Sequence, residues 1–580
     1  MTDNTDIPTT LPDPNLARTE SNETANYQEI EKPEAAKLAD EKNVVVETQV
    51  DKIDIDDVDE TNGQPQLSRV EFLLIFVGLF FAVFLAALDQ TIIGIAIPAI
   101  AKDFSSLSEV SWLGTAFLLT STAFVPSYGK FADIFGRKVM ILTAVTIFEI
   151  GSIICGAATD MNMLIAGRAI AGLGGGGVFS LTLIIISDLV PIYERPKYQG
   201  LIGAAFGAAS VAGPLLGGFL TDNLSWRWNF YINVPIGAFA IAVCSIVLRL
   251  REPDQSTWRL KMKRIDFIGT FFLILAVVAL LIPIQGGGTQ FAWNSPTVIV
   301  LLALSAPLVG LFIFSQWKWS NEPIIPLHLF KNRYTVAPFI STFFLGMTML
   351  PAFFYVPLYF QIVLDHSAQQ AGIDTFPLVI GLVIFVISSG LFAGKTGYYL
   401  PPILIGSILG SVGTFLMSTL DETSSVWQRI FYLFIPGVGI GMCLQTELIA
   451  CQDSVEEHDL SIVTALKSFW QSIGSVFGLA IASTYFNNVL QDKLREALAG
   501  VPLKIPLDTV VDIVSNNPLA IRSSYVPAQL TPVLVHAFVE AIQKLFLICV
   551  PFGILTFLSA LFINWTPLDL SAKRAVPVGE

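Results

Sequence analysis

Three ionisable residues lie inside long apolar stretches of the chain: Asp89, Glu149 and Arg168. A charge inside a bilayer is costly, so such residues mark ion pathways or proton relays. The predicted depths of Asp89 and Arg168 are similar, which permits an ion pair. A carboxylate that leaves its partner, takes up a proton and then holds a cation is the minimum machinery of proton-coupled exchange. The alternatives are a static ion pair and, for Glu149, a carboxyl group held neutral by a hydrogen bond.

A short polar loop follows the second apolar stretch and contains Gly129, Asp133, Gly136, Arg137 and Lys138. Asp133 and Arg137 are four residues apart, so they face each other in a helical turn. The two glycines permit a tight chain reversal. An ordinary basic turn at a membrane surface is the alternative, but the spacing favours a specific contact.

A glycine-rich segment interrupts the fifth apolar stretch at Gly213, Pro214, Gly217 and Gly218. Proline removes a backbone hydrogen bond and kinks a helix. Glycines admit a neighbouring helix at close range. The segment therefore predicts a hinge or a tightly packed kink.

The composition is that of a membrane protein, because 53% of the 580 residues are hydrophobic, only 14% are charged, and the mean hydropathy is +0.65. Soluble chains carry about 25% charged residues. Residues 1–70 hold 17 acids and 6 bases, so they supply −11 of the formal net charge of −14. This acidic segment is predicted to be a disordered cytoplasmic tail. The remainder has no basic face for nucleic acid.

Apolar runs of about 20 residues match the thickness of a bilayer. Fourteen helical spans are predicted, at 72–97, 112–131, 139–158, 162–186, 199–220, 230–249, 267–285, 297–316, 335–359, 372–393, 401–420, 429–450, 461–486 and 537–563. Lys and Arg concentrate in the short loops on the side of the N-terminus, which predicts that both termini are cytoplasmic.

Enzymatic, cofactor and metal sites are not predicted. Gly172, Gly174 and Gly177 spell G-x-G-x-x-G, but they lie inside a span rather than after a strand. The segment 390–396 resembles a phosphate-binding loop but is one residue short. The five cysteines and four histidines show no metal-ligand spacing. Asn223 begins a possible glycosylation sequon, close to the membrane on the outer side.

The combination of motifs resembles the major facilitator superfamily, in its fourteen-span drug:proton antiporter branch, and is similar to fungal toxin and multidrug efflux transporters. The segments that carry the resemblance lie within 71–565, at 88–93, 96–98, 112–119, 129–138, 168–174, 213–218, 226–235 and 357–361. One departure is Ala209, where the longer antiporter motif commonly has glycine. Another is 394–399, a degenerate copy of the 129–138 loop.

The resemblance implies an all-α major facilitator fold, with two six-helix bundles and two linker helices. The domains would be a tail at 1–70, a bundle at 71–249, a basic loop at 250–264, linker helices at 265–316, a bundle at 317–565 with an outer loop at 487–536, and a tail at 566–580. It also implies that Asp89 and Arg168 couple protons to substrate. Asp133 and Arg137 would form a latch between the bundles, and Gly213 and Pro214 a hinge.

A central cavity is expected to be apolar and aromatic. Its predicted lining residues are Tyr355, Tyr359, Gln361, Gln445, Glu447 and Gln471. Such a cavity suits amphipathic or cationic molecules better than sugars, which need many hydrogen-bond partners.

The leading prediction is a monomeric plasma-membrane exporter of drugs or toxin-like secondary metabolites, driven by a proton gradient without a cofactor. One alternative is a vacuolar transporter of basic amino acids from the same branch. A second is a facilitator that is not coupled to protons.

Overall fold

A computed structural model of the protein describes residues 68–104, 109, 111–248, 257–288, 291–499, 506–516, 518–522 and 529–568. Most of the predicted tails at 1–70 and 566–580, and the first part of the basic loop at 250–264, lie outside the described residues. The described part forms helices and contains no β-strand. The prediction of an all-α protein is therefore confirmed.

Eighteen α-helices follow one another in the described residues. They are α1 (Arg69–Phe104), α2 (Ser111–Phe135), α3 (Arg137–Gly156), α4 (Met161–Leu189), α5 (Arg195–Asn223), α6 (Trp228–Tyr231), α7 (Asn233–Val247), α8 (Trp258–Lys263), α9 (Phe267–Gly286), α10 (Pro296–Lys318), α11 (Arg333–Val363), α12 (Ala368–Asp374), α13 (Phe376–Thr396), α14 (Leu400–Met417), α15 (Val426–Asp453), α16 (Leu460–Leu498), α17 (Leu507–Asn516) and α18 (Thr531–Ala560).

Thirteen helical segments among the described residues are long and apolar enough to cross a membrane, one fewer than predicted. The difference is α2, which occupies the predicted span at 112–131 but is rich in hydroxyl side chains. Thr120 of α2 donates a hydrogen bond to the carbonyl of Ala169 on α4. A neighbouring helix thus satisfies the hydroxyl of Thr120, and the hydroxyl side chains together lower the hydropathy of α2. The count of fourteen is not confirmed exactly, although every predicted span contains a helix of similar extent.

Six of the described helices begin at a polar side chain that accepts a free backbone N–H group of the first turn. Asp160 accepts from the backbone nitrogen of Met163 at 2.9 Å and begins α4. Ser425 and Gln428 form a reciprocal capping box at the start of α15. Short polar connections therefore separate helices that are apolar along most of their length.

The helices pack mainly within two sets, here called the first half (α1–α7) and the second half (α11–α18). In the first half, α4 packs on α2 and α3, and α1 packs on α5 and α7. In the second half, α15 packs on α13 and α14, and α11 packs on α16 and α18. The halves meet where α5 packs on α13 and where α2 packs on α16.

The two long helices between the halves, α9 and α10, are joined by a polar contact. Asp266 caps α9 by accepting from the backbone nitrogen of Gly269 at 2.7 Å. Its second carboxylate oxygen accepts from Nε2 of Gln316 on α10 at 2.6 Å. The α9–α10 pair also packs on both halves, through α2 and α16.

The outer loop predicted at 487–536 is largely helical in the described residues. Helix α16 continues to Leu498 because Leu490, Leu494 and Leu498 recur every four residues and are buried. They pack in one cluster with residues of α17 and α18, among them Val514. The apolar spacing at 489–499 is that of a short amphipathic helix, which α16 includes, and the outer position of the segment stays a prediction.

Candidate functional site

A buried ion pair joins α1 to α4 in the first half. Nη1 of Arg168 lies 2.5 Å from Oδ2 of Asp89. The side chains are 1% and 0% exposed, respectively. The structure thus brings together the two charged residues for which the sequence predicted a pair.

Further contacts hold both members of this pair in place. Nδ2 of Asn233, on α7, donates to Oδ1 of Asp89 at 3.1 Å and lies 3.2 Å from the hydroxyl of Ser152. Nε of Arg168 donates to the carbonyl of Leu113 at 3.0 Å. The guanidinium carbon lies 4.5 Å from the ring centroid of Phe117, a cation–π distance. Both carboxylate oxygens are therefore satisfied, and the arginine is fixed by two helices.

Glu149, on α3, has a different environment. It is 7% exposed, and neither carboxylate oxygen has a hydrogen-bond partner among the described residues. The carboxylate packs against the backbone of Gly237 on α7, where a β-carbon would lie 1.8 Å from Oε1. A buried carboxyl group with neither donor nor cation is better accommodated when neutral. Glu149 is therefore a separate acid rather than a third member of the ion pair.

The second half contains its own buried ionisable residues, Glu447 on α15 and Lys467 on α16. The hydroxyl of Ser341 donates to Oε1 of Glu447 at 2.5 Å, while Oε2 has no partner among the described residues. Nζ of Lys467 donates to Oε1 of Gln471 at 2.6 Å. Glu447 is 0% exposed and Lys467 is 4% exposed. The described residues thus show no direct ion pair between Glu447 and Lys467, in contrast to Asp89 and Arg168.

The loop between α2 and α3 lies at the end of the helices here called the Arg137 end, where Arg137, Asp188 and Ser461 meet. Arg137 forms ion pairs with Asp133 at 2.9 Å and Asp188 at 2.7 Å. Its Nη2 also donates to the hydroxyl of Ser461 on α16 at 3.0 Å. The arginine therefore ties the loop to α4 and contacts the second half. Lys138 is only partly exposed and forms no ion pair among those the structure describes.

Two glycines make this arrangement possible. Gly136 separates α2 from α3 with φ of 95°, in a region that residues with a side chain rarely adopt. A β-carbon on Gly129 would lie 2.9 Å from the carbonyl oxygen of Ser461 and 3.0 Å from the β-carbon of Ala465. The first glycine thus allows the reversal, and the second allows α2 to approach α16.

A polar network also crosses between the halves at the Arg137 end. Gln199 of α5 donates to Ser187 of α4 at 3.1 Å and accepts from Gln445 of α15 at 2.7 Å. Gln452 of α15 donates to Ser187 at 2.8 Å and to Thr464 at 3.1 Å. Gln445, predicted to line a cavity, therefore contributes to the contact between the halves in this conformation.

The Arg137 end also carries an ion cluster outside the apolar spans. Glu322, which follows α10, lies 2.8 Å from Nζ of Lys130 and 2.7 Å from Nε of Arg264. Partial burial raises the pKa of Glu322, but the hydrogen bonds from Arg264 and Lys130 outweigh it and hold the pKa below its ordinary value. This cluster links α2 to the segments that flank α9 and α10.

The glycine-rich segment of α5 packs against α1 close to the ion pair. A β-carbon on Gly213 would lie 2.2 Å from the hydroxyl oxygen of Thr91, and one on Gly217 would lie 2.7 Å from Ile92. A β-carbon on Gly218 would meet open space. The side chain of Pro214 lies outside the described residues. Two of the predicted hinge glycines thus permit close packing next to Asp89, and the hinge role stays a prediction.

The aromatic residues predicted to line a cavity lie within the second half. Tyr355 is buried and packs on Phe486, with ring centroids 5.1 Å apart. The hydroxyl of Tyr359 donates to the carbonyl of Asp421 at 2.7 Å. The amide of Gln361 donates to a carbonyl one turn earlier in its own helix. In this conformation the two tyrosines contribute to the core of the second half, and their role in a cavity stays a prediction.

Asn223, the predicted glycosylation site, lies exposed at the end of α5. Its amide donates to the carbonyl of Phe219 at 2.8 Å. The side chain is therefore accessible, and its modification stays a prediction.

Comparison with known proteins decides the family. The family model of the Major Facilitator Superfamily matches residues 79–479, which include both buried ionisable clusters. This chain belongs to the Major Facilitator Superfamily. Members of this superfamily are transporters rather than enzymes.

Curated relatives of this superfamily member come from fungi. The chain is 35% identical over 516 residues to "MFS-type efflux pump MFS1" of Arthroderma benhamiae, covering 88% of this chain and 94% of that protein. It is 35% identical to "Efflux pump aflT" of Aspergillus parasiticus, covering 88% and 98%. It is 33% identical to "Efflux pump roqT" of Penicillium rubens, covering 90% and 97%. The relatives thus extend over nearly all of the described helices.

Solved structures share the fold at low sequence identity. A bacterial homologue of the human lysosomal transporter Spinster, in an inward-facing and unoccupied conformation, aligns with a TM-score of 0.53 at 16% identity, covering 86% of this chain and all of that one. The human organic anion transporter MFSD10 aligns with a TM-score of 0.50 at 13% identity, covering 84% and 100%. These matches support the major facilitator fold that the sequence predicted.

Two site residues of this superfamily member were missed by sequence reasoning. Asn233 lies in the segment 226–235, where an asparagine within an apolar run was a usable signal. Lys467 lies inside the predicted span at 461–486 and could have been singled out by the criterion applied to Asp89. The proximity of Lys467 to Glu447 required the packing of α16 on α15.

Proposed function

We propose that the protein is a proton-coupled exporter that moves amphipathic or cationic small molecules by alternating access. Drugs and toxin-like secondary metabolites are the proposed cargo class. The names of the fungal relatives, which call them efflux pumps, support the direction of transport and not the cargo. No cofactor is needed, because the proton gradient supplies the energy. The chain works as a monomer in this proposal.

The observation that carries the proposal is the buried contact between Asp89 and Arg168. An ion pair away from water is stable only while both charges are present, and removal of either charge leaves the other uncompensated. Protonation of Asp89 is therefore a local event with a large effect on the packing of α1 against α4. Such a change can be coupled to a global rearrangement.

In the proposed cycle, Asp89 takes up a proton and releases Arg168. Asn233 remains hydrogen-bonded to the protonated carboxyl group and keeps it in position. A cationic cargo molecule then favours the ionised carboxylate, so its binding expels the proton. Glu149 is the second acid of the relay in this proposal, because it is buried in the first half without a hydrogen-bond partner among the described residues.

The contacts at the Arg137 end identify the end at which the described conformation is closed. The Asp133–Arg137 pair, Ser461 and the glutamine network hold the two halves together at this end. We assign the Arg137 end to the cytosol, as the distribution of basic residues predicts. The described conformation is then closed toward the cytosol, and opening requires these polar contacts to break.

The plasma membrane is the proposed location, with both termini in the cytosol. A vacuolar location would instead suit the transport of basic amino acids. The two alternatives differ in cargo, so a transport assay with both cargo classes separates them.

The test uses sealed vesicles from cells that overproduce the chain. Lipophilic cations, toxins, lysine and arginine are supplied with and without a protonophore. We expect protonophore-sensitive movement of lipophilic compounds, and its loss in Asp89→Asn. The matched control is Asp103→Asn, because Asp103 lies on the same helix but pairs with Arg227 at a partly exposed position.

Three results would contradict the proposal. Movement of lysine or arginine alone would indicate the vacuolar alternative. Movement that equilibrates but never concentrates would indicate a facilitator. Equal loss of transport in Asp89→Asn and Asp103→Asn would indicate a structural effect on α1.

A further inference from the structure

Two histidines that are far apart in the sequence meet at the Arg137 end. His328 lies in the short 3-10 turn Leu327–Lys331, between α10 and α11. His458 and Asp459 lie in the 3-10 turn Glu457–Asp459, directly before α16. His328 and Asp459 are 131 residues apart in the chain, so no ligand spacing is visible in the sequence.

The distances between their polar atoms suit a shared metal ion. Nε2 of His328 lies 2.7 Å from Oδ2 of Asp459, and Nε2 of His458 lies 3.2 Å from the same oxygen. The three ligand atoms lie within 4.8 Å of one another. Zinc binds nitrogen and oxygen at about 2.0–2.2 Å, which places tetrahedral ligand atoms about 3.3 Å apart. Side-chain shifts of roughly 1 Å or less therefore bring all three atoms onto one ion.

The carboxylate of Asp459 is directed to the imidazoles rather than to the helix that it precedes. Asp459 occupies the N-cap position of α16, where an aspartate ordinarily accepts from a backbone N–H group of the first turn. It makes no such hydrogen bond here. Its side chain is only 7% exposed, whereas those of His328 and His458 are 56% and 66% exposed. A buried anionic ligand and two accessible imidazoles thus converge on one point.

A second acid is placed to orient one of the imidazoles. Nδ1 of His458 lies 3.5 Å from Oε2 of Glu456, while Nε2 faces Asp459. Histidine ligands of metals usually donate the other ring N–H to a carboxylate or carbonyl group, which fixes the tautomer. Glu456 is suited to this role.

We propose that His328, His458 and Asp459 bind a divalent transition metal ion of the zinc class, with Glu456 as the outer partner of His458. Two imidazole nitrogens and one carboxylate oxygen leave a fourth tetrahedral position for water. Magnesium and calcium prefer sites made of oxygen ligands alone. The ion would join the segment before α11 to the start of α16.

The position of this site gives the ion a defined structural effect. Asp459 is two residues before Ser461, which accepts the hydrogen bond from Arg137. A bound ion would therefore hold the start of α16 where it contacts the first half. Metal binding at this position is independent of proton coupling and of the identity of the cargo.

The test uses the purified full-length protein in detergent, with an affinity tag that contains no histidine. Zn²⁺ is titrated by calorimetry, and Co²⁺ by its visible absorption. We expect one ion per chain, with affinity reduced about tenfold or more in His328→Ala, in His458→Ala and in Asp459→Asn. Mg²⁺ is expected not to compete.

The matched control is His536→Ala. His536 is also 66% exposed, and its ring nitrogens lie 3.0 Å from Glu422 and 3.8 Å from Glu540. It does not belong to the group of three possible metal ligands found among the described residues. We expect wild-type Zn²⁺ affinity in this variant. Thermal unfolding without metal shows whether each variant is folded. Zn²⁺ should raise the unfolding midpoint of the wild type but not that of the double variant His328→Ala/His458→Ala.

The proposal is overturned if wild-type protein shows no saturable binding of Zn²⁺. It is also overturned if the double variant binds Zn²⁺ with wild-type affinity and stoichiometry, or if Mg²⁺ displaces Zn²⁺ at equal concentration.

Discussion

The two halves of the molecule bury ionisable residues in different ways. In the first half, Asp89 and Arg168 contact each other directly, and Asn233 completes the hydrogen bonding of the carboxylate. In the second half, Glu447 and Lys467 use neutral partners, Ser341 and Gln471. The first half thus holds its two buried charges in one direct contact, whereas the buried ionisable groups of the second half hydrogen-bond to neutral partners.

This difference indicates where a proton can control conformation. Loss of one member of a buried ion pair costs about 3–5 kcal/mol, because the other charge remains without compensation. Loss of one hydrogen bond between a charged group and a neutral partner costs less, about 1.5–3 kcal/mol. We therefore expect coupling to reside in the first half, and the buried polar residues of the second half to affect packing and cargo contact.

The largest expected effect comes from Arg168→Leu, which leaves Asp89 buried without its cation. The free energy of unfolding should fall by about 3–5 kcal/mol. Thermal and denaturant unfolding in detergent measure this loss. The double variant Asp89→Asn/Arg168→Leu should recover much of the stability but no gradient-driven transport.

The matched control for this prediction is Arg227→Leu. It breaks the pair between Arg227 and Asp103, whose side chains are 33% and 46% exposed, and should cost about 0–1 kcal/mol. Equal losses in Arg168→Leu and Arg227→Leu would show that burial of the first pair does not matter.

A smaller effect is expected from Glu447→Gln. The new amide oxygen can still accept from Ser341, so the free energy of unfolding should change by about 1 kcal/mol or less. Gradient-driven transport should persist, with an unchanged dependence on pH. Loss of transport to the extent seen in Asp89→Asn would contradict the assignment of coupling to the first half.

Gly129→Val tests whether contact between the halves depends on close approach of α2 to α16. The new side chain would meet the backbone of Ser461, so we expect the Arg137 end to open more often. Spin labels at the exposed residues Lys197 and Lys395, one on each half, should report a larger share of long distances. The five native cysteines are buried, so they interfere little with labelling.

The control for this experiment is Gly114→Val, on the same helix, where a β-carbon meets open space. It should leave the distance distribution unchanged. An unchanged distribution in Gly129→Val as well would mean that the glycine is not needed for closure.

The smallest effect is expected from Glu322→Gln, in a cluster outside both sets of buried charges. The pKa of Glu322 is lower in the folded protein than its ordinary value, so its ionised form stabilises the fold at neutral pH. That contribution begins to decrease as the pH falls below about 4.3, the ordinary pKa of glutamate. It is lost once the pH has fallen through the lower pKa of the folded protein. The unfolding midpoints of wild type and Glu322→Gln should therefore differ slightly at pH 7 and converge in acid. A difference between the two midpoints that grows in acid would contradict the stated direction of the pKa shift.

The sequence predicted the positions of the helices well, because a span of about 20 apolar residues is a local property. It also predicted that Asp89 and Arg168 lie at a similar depth. The two helices run in opposite directions, and each residue lies a short distance from the outer end of its own span. The family followed from motifs, and proton coupling remains a proposal.

Other features depend on tertiary contacts that the sequence does not show. The buried setting of Lys467 beside Glu447 results from packing of α16 on α15, and the meeting of His328 with His458 results from two turns far apart in the chain. The core position of Tyr355 shows the same limit, because an aromatic residue in a span can face a cavity, lipid or a neighbouring helix. The packing of Leu490, Leu494 and Leu498 against α17 and α18 likewise depends on tertiary contacts.

The most direct test of the central claim compares two transport modes of Asp89→Asn in proteoliposomes. Exchange of labelled for unlabelled cargo needs no net proton movement, whereas accumulation against a gradient does. We predict that Asp89→Asn retains exchange of an uncharged amphipathic cargo and loses accumulation driven by a pH gradient, while Asp103→Asn retains both. Accumulation at the wild-type level in Asp89→Asn would contradict the claim that this carboxylate carries the coupled proton.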